Sequence, residues 1–254
     1  EKVNEEISLI RGIPVGQDSI SPNRHPDINN PQDLLDMIAR IRRVTGKPVG
    51  IKFVLGSHEW LDQLMTEINH RGEASAPDFI TLDGAEGGTG AAPMPLMDSV
   101  GLPLRQSLPL VVDMLKAFGL RERIKVVASG KLMVPTNVAW AISVGADFCV
   151  TARGFMFALG CIQALQCNKN TCPSGVTTHD PDLQEGLNPQ DKAVRVHSYH
   201  KHMINEIGII AHSCGAREPR ELKRHHAQMV TENGLSENLA SLYPGNYIPL
   251  REKN

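Results

Sequence analysis

With 254 residues and 41% hydrophobic content, the chain holds apolar surface for the core of one sizeable domain and too little for three. Its 26 basic and 28 acidic residues leave a formal charge of -2, which argues against a nucleic-acid partner, and no stretch approaches the roughly 18 consecutive apolar residues of a membrane span. A soluble cytoplasmic protein is expected, because three of the five cysteines crowd between Cys161 and Cys172, which suits metal ligation in a reducing compartment better than a disulfide framework.

The opening Glu1-Lys2-Val3-Asn4-Glu5-Glu6 has neither an initiator methionine nor an apolar signal core, so the chain is expected to be a fragment. A first helix stops at Gly12 and carries Arg11, whose planar fork suits a substrate carboxylate or, more modestly, Glu5 or Glu6. Asn30-Pro31-Gln32-Asp33 then opens a helix over Pro31–Thr45 with a capping asparagine, a proline at the first helical position and acidic charge at the amino terminus. Apolar runs predict strands at Val49–Val54, Phe79–Leu82, Lys125–Ala128 and Phe148–Thr151. Between them, helical periodicity marks Trp60–His70, Ser107–Phe118 and Thr136–Val144. Alternation of strand and helix predicts a parallel sheet, either open and doubly wound or closed as a barrel. Polar and glycine residues gather at the carboxyl ends of all four strands, at Gly56, Asp83-Gly84, Ser129-Gly130 and Arg153-Gly154, the rim where a barrel places its active site. Four strands are about half of the eight that a barrel needs. Beyond Cys172, a loop from Pro173 to Pro189 leads to a histidine-dotted helix over Gln190–His212, a second helix over Pro219–Asn233 and a loosely held tail from Leu239 to Asn254.

Four constellations carry chemistry. Cys161, Cys167 and Cys172 are spaced so that three soft thiolates can meet on one iron–sulfur cluster, with zinc plus His179, or three inert buried thiols, as the competing readings. The run Asp83-Gly84-Ala85-Glu86-Gly87-Gly88-Thr89-Gly90 lets backbone approach a planar ligand closely, with Asp83 and Glu86 as acceptors; the alternative is a flexible surface loop. Ser129-Gly130-Lys131 and Ala152-Arg153-Gly154 end successive strands, as the turns of a barrel phosphate cradle do, against the alternative of a surface lysine and a salt-bridged arginine. Lys52 interrupts an apolar strand and either faces solvent or could hold negative charge beside a reduced flavin.

Together these residues resemble the flavin-binding synthase domain of the glutamate synthase family, in particular relatives that lack the amidotransferase portion. The carrying residues are Lys2-Val3 with Ile7, Ile10 and Arg11, Ile20-Ser21-Pro22, Ile51-Lys52, Gly84 to Ala91, Ser129-Gly130-Lys131-Leu132, and Ala158 to Cys161 through Asn170 to Pro173. The resemblance runs from Glu1 to about Asp182 and implies the carboxyl-terminal half of a (β/α)8 TIM-type barrel over residues 1–182, followed by a helical extension over 183–254. It implies FMN beside Lys52, Asp83, Gly84, Gly87, Gly88 and Thr89, with its phosphate on Ser129, Gly130, Lys131, Ala152, Arg153 and Gly154. It further implies a [3Fe-4S] cluster on Cys161, Cys167 and Cys172, catalytic roles for Lys52 and Glu86, and a grip on 2-oxoglutarate by Arg11. The implied reaction forms L-glutamate from 2-oxoglutarate and ammonia through 2-iminoglutarate. A ferredoxin or reductase subunit would be the electron donor, and the missing barrel half or an oligomer partner would complete the fold. Ala85 stands where the larger synthases usually carry histidine, and the amidotransferase domain and a basic glycine-rich segment before Lys2-Val3 are missing. A related flavin enzyme making an N-alkylated amino acid and a non-catalytic electron-relay module are the alternatives.

Overall fold

The computed structural model describes residues 3–20, 22, 24–88 and 92–250. Helix α1 (Glu5–Arg11) is capped by Asn4 and stops at Gly12, whose φ of 65° is left-handed. In α2 (Pro31–Thr45), Asn30 accepts from the Asp33 N–H at the start and Gly46 ends the helix with φ 63°. Strand and helix then alternate as β1 (Gly50–Val54), α3 (Glu59–Arg71), β2 (Phe79–Asp83) and α4 (Leu104–Ala117). The alternation continues through β3 (Lys125–Ser129), α5 (Pro135–Val144), β4 (Phe148–Val150) and α6 (Ala152–Leu159). Helix α6 is new to the sequence reading: Ala152-Arg153-Gly154, expected as a turn, is a helix's first turn.

The strands lie in the order β1-β2-β3-β4, each neighbouring pair parallel. A doubly wound sheet reverses its strand order and carries helices on both faces. Here the order runs straight through and the two faces differ. Ile80, Leu82, Val126 and Ala128, each at most 1% exposed, face the core, where α4 packs over β2 and β3 and α5 over β4. On the other face Lys52, Thr81, Val127 and Phe148 form one cross-strand row, and Phe148 is 50% exposed. This is the α/β half-barrel that the resemblance implies, with its inner face open.

Helices α7 (Pro181–Gln184) and α8 (Pro189–Ser213) follow, and α8 packs on α5 and α6 with Met203 and Ile207 in the core. The helix expected over Pro219–Asn233 does not form. In its place are single turns at Pro219–Glu221 and Arg224–His226, then a hairpin of β5 (Gln228–Val230) and β6 (Ser236–Asn238). Two causes are visible. Arg224 is drawn inward to pair with Asp113 at 2.7 and 3.0 Å and to donate to the carbonyls of Val144 and Tyr243. Asn233-Gly234 makes a tight turn, with Gly234 at φ 78° and Asn233 Oδ1 accepting from the Leu235 N–H. The tail is also held, not loose, as far as Leu250, the last of the described residues. Leu239 is fully buried in α9 (Leu239–Leu242), and Asp62 accepts from the Tyr247 hydroxyl at 2.7 Å and the Leu250 N–H at 3.0 Å.

Candidate active site

The register of the sheet sets the floor of the site. At the carboxyl ends of the strands Val54, Asp83, Ser129 and Val150 stand side by side, and two residues below them lie Lys52 and Thr81. Past this rim opens a cleft of about 630 Å³, within the range of small-molecule sites. It reaches from Lys52 and Asp83 across the turns after β3 and β4 to the loop that holds the three clustered cysteines.

The glycine-rich loop is fixed from behind. The Leu104 N–H donates to both oxygens of Glu86, 3.0 Å each, so this carboxylate caps the amino terminus of α4. A Cβ on Gly84 would collide with the same carboxylate, and one on Gly130 would lie 2.9 Å from Leu104 Cβ. Glycine is required at both places because Glu86 wedges between the β2 and β3 turns. Gly87, at φ 98°, presents its N–H to Asp98 Oδ1 at 2.8 Å.

Three cations line the cleft, and each has a protein partner. Lys52 Nζ lies 2.7 Å from Asp83 Oδ2, Lys131 Nζ lies 3.0 Å from Asp98 Oδ1, and Arg153 Nη2 donates to the Gly88 carbonyl at 2.8 Å. The Lys131 ammonium, with the Gly87 N–H, holds the Asp98 carboxyl below the usual carboxylate range. The amino terminus of α6 also opens here, and its N-cap Thr151 makes no side-chain cap bond. No side chain caps the first-turn amides of α6, which stand beside Lys131 and Arg153.

At the far end Cys161, Cys167 and Cys172 all line the cleft and are all half-buried. The loop is held in shape by left-handed backbone at Gln163, Leu165 and Asn170, with φ of 56°, 54° and 62°. The Cys172 thiol is brought down to about 6. Burial pushes it up, but donors on Ser174 and Thr177 outweigh that, and Ser174 Oγ lies 3.5 Å from the sulfur. The Thr177 hydroxyl is near enough to favour the thiolate, yet it is buried and makes no hydrogen bond by distance and angle. Among the described residues no three His, Cys, Asp or Glu side chains stand close enough together to hold a metal ion, neither Cys161, Cys167 and Cys172 with one another nor with His179.

A family model, the conserved region in glutamate synthase, matches residues 1–217. The chain belongs to the glutamate synthase family. The glutamate synthase large subunit-like protein YerD of Bacillus subtilis is 44% identical over 241 residues, covering 95% of this chain and 46% of that protein. The archaeal-type glutamate synthase [NADPH] of Thermotoga maritima is 34% identical over 239 residues, covering 93% of this chain and 46% of its own. This glutamate-synthase-family chain therefore spans about half the length of the curated relatives it matches. A structure of flavocytochrome b2 with pyruvate bound aligns at a TM-score of 0.46 with 15% identity, over 96% of this chain and 44% of that one, a likeness too loose to bear on the fold or the site.

Most of the site residues expected from the glutamate-synthase-like sequence meet at this cleft, and three of the described ones do not line it: Gly84, Gly154 and Arg11, the last exposed on α1. Thr89 lies outside the described residues. Asp98, Met133, Met156 and Phe157 line it without having been anticipated. Asp98 had no motif to announce it; the methionines and Phe157 read in sequence as ordinary core residues. Among the described residues no helix is long and apolar enough to cross a membrane.

Proposed function

We propose that this chain carries the FMN-binding half of a glutamate-synthase-type oxidoreductase together with a [3Fe-4S] cluster, reducing 2-iminoglutarate, formed from 2-oxoglutarate and ammonia, to L-glutamate. The observation that carries the reading is that one cleft is lined by Lys52 and Asp83, by both anion-binding turns and by all three clustered cysteines. When bound, the flavin supplies hydride and the cluster supplies the electrons that replace it. Lys131, Arg153, Ser129 and the amides that open α6 hold the phosphate, displacing the exposed Asp98 from Lys131. Lys52 keeps positive charge beside the ring, steadied by Asp83. Glu86 acts from beneath, fixing Gly84 and Gly130 so that backbone can approach the ring.

Three half-buried sulfurs along one wall, one of them a thiol brought down to about 6, are the soft ligands that such a cluster would draw together. Residues 1–182 form the catalytic part in this proposal and residues 183–254 the extension. The open sheet face and the unpaired edges of β1 and β4 are where the remaining barrel strands, or a partner, would close the fold. Arg11 would serve the substrate carboxylate only if brought over the cleft. Ala85 favours a second reading, in which an alkylamine replaces ammonia and the product is an N-alkylated amino acid.

The test uses the full-length protein purified without oxygen. Flavin bands with broad sulfide-to-iron absorption, and glutamate formed from 2-oxoglutarate, ammonia and a chemical reductant, are the expected results. Cluster absorption with no flavin would leave an electron-relay module, and turnover with methylamine alone would establish the second reading.

A further inference from the structure

Tyr199 lies on α8, outside every motif of the sequence, yet its hydroxyl sits at the junction of the two anion-binding turns. It donates to the Met133 carbonyl at 2.9 Å, and the Met133 N–H in turn donates to the Lys131 carbonyl at 2.9 Å. The same oxygen lies 2.9 Å from Thr151 Oγ1. A phenol has one proton, and a backbone carbonyl can only accept, so the Tyr199 proton goes to Met133 and the Thr151 hydroxyl must donate to Tyr199. Thr151 is the N-cap of α6, a position where threonine usually accepts from the second or third amide of the helix. Here it makes no such bond. The ring is held edge-on against Phe155, with centroids 5.1 Å apart and planes at 85°. Gly154 has no side chain because a Cβ there would collide with the Tyr199 hydroxyl.

We infer that Tyr199 is a positioning residue for the phosphate site: it ties the turn after β3 to the turn after β4 and draws the Thr151 hydroxyl away from the amino terminus of α6, leaving those amides open to a dianion. The inference rests on the flavin-phosphate reading proposed above. Removing the Tyr199 hydroxyl frees Thr151 to cap the helix, and the cap then competes with the phosphate for the same N–H groups.

The experiment titrates the full-length protein, freed of flavin, with FMN and with riboflavin, which has the ring and tail but no phosphate. Tyr199→Phe should weaken FMN roughly tenfold, the size of one helix cap, and so narrow the gap between FMN and riboflavin. Adding Thr151→Val removes the competing hydroxyl, and the double variant should recover most of the lost FMN affinity. Gly154→Ala pushes the phenol aside from the opposite direction and should reproduce the narrowing, so it decides the matter if Tyr199→Phe does not fold. Equal weakening of FMN and riboflavin would mean general loosening and would overturn the inference, as would a double variant no better than Tyr199→Phe or an unchanged FMN affinity. A parent protein that binds neither flavin would sink the flavin reading itself.

Discussion

Lys131 sits in left-handed backbone, at φ 48°, directly after Gly130 at φ 157°. A non-glycine residue held there costs on the order of 1–3 kcal/mol and persists when its surroundings dictate it. Here the bend carries the ammonium over the cleft to Asp98. Lys131→Ala should therefore weaken FMN retention by roughly 10- to 100-fold, the scale of one charge-assisted phosphate contact; unchanged flavin stoichiometry after dialysis would remove Lys131 from the cradle. For the sulfur end, Cys167→Ala should reduce iron per chain to background while flavin content stays at the parent level. Iron and acid-labile sulfide analyses check it, and equal iron in variant and parent would refute the ligand role. That these residues line one cleft was legible singly, because glycine and lysine at strand ends and three cysteines crowded into one loop stand out in the sequence. Asp98 and Tyr199 were not, since each matters through partners 33 and 48 positions away, Lys131 and Thr151.

Among the elements, α2 matches its expected span because every signal is local: Asn30 caps, Pro31 starts and Gly46 turns left-handed. The segment 219–233 was misread for the opposite reason, since Arg224 answers to Asp113, 111 positions away. Asp78 shows how the elements are tied at the opposite end of the sheet from the cleft. Its carboxylate meets Arg42 from the end of α2 at 3.0 Å, Arg123 before β3 at 2.9 Å and the Val49 N–H before β1 at 2.8 Å. Burial pushes this carboxyl up, but the Val49 N–H, Arg42 and Arg123 outweigh it and hold it low. A group held low in the folded state stabilises fully above its unfolded value of about 3.9, and that contribution disappears as pH falls through the lower folded value. Asp78→Asn should cost about 2 kcal/mol at pH 7, the scale of hydrogen bonds to a charged group, and flatten the loss of stability below about pH 4. Urea unfolding of parent and variant between pH 7 and 3 measures both; parallel curves would exclude Asp78 as a source of acid sensitivity.

Across the whole molecule, the buried pair Arg224–Asp113 fastens the carboxyl-terminal segment onto α4 and α5, each side chain about 10% exposed. Arg224→Ala would leave Asp113 charged and largely unpaired, costing about 3–5 kcal/mol and lowering the melting temperature by roughly 10 °C. A shift of only a degree or two would show the strap to be dispensable. The parallel α/β sheet was legible from alternation, and the polar strand ends pointed to a barrel rim, signals that need no long-range knowledge. The strap was not, because its energy lies in contacts between distant parts of the chain. One helix joins the two ends of the cleft: α6 begins at the turn after β4, beside Arg153, and its last turn passes into Cys161, whose N–H donates to the Met156 carbonyl. Its eight residues make a rigid spacer of ~12 Å. Spacing and heading of the first sulfur are thus set by helix length, so one inserted residue would rotate it by about 100° and aim it away from the wall it now lines.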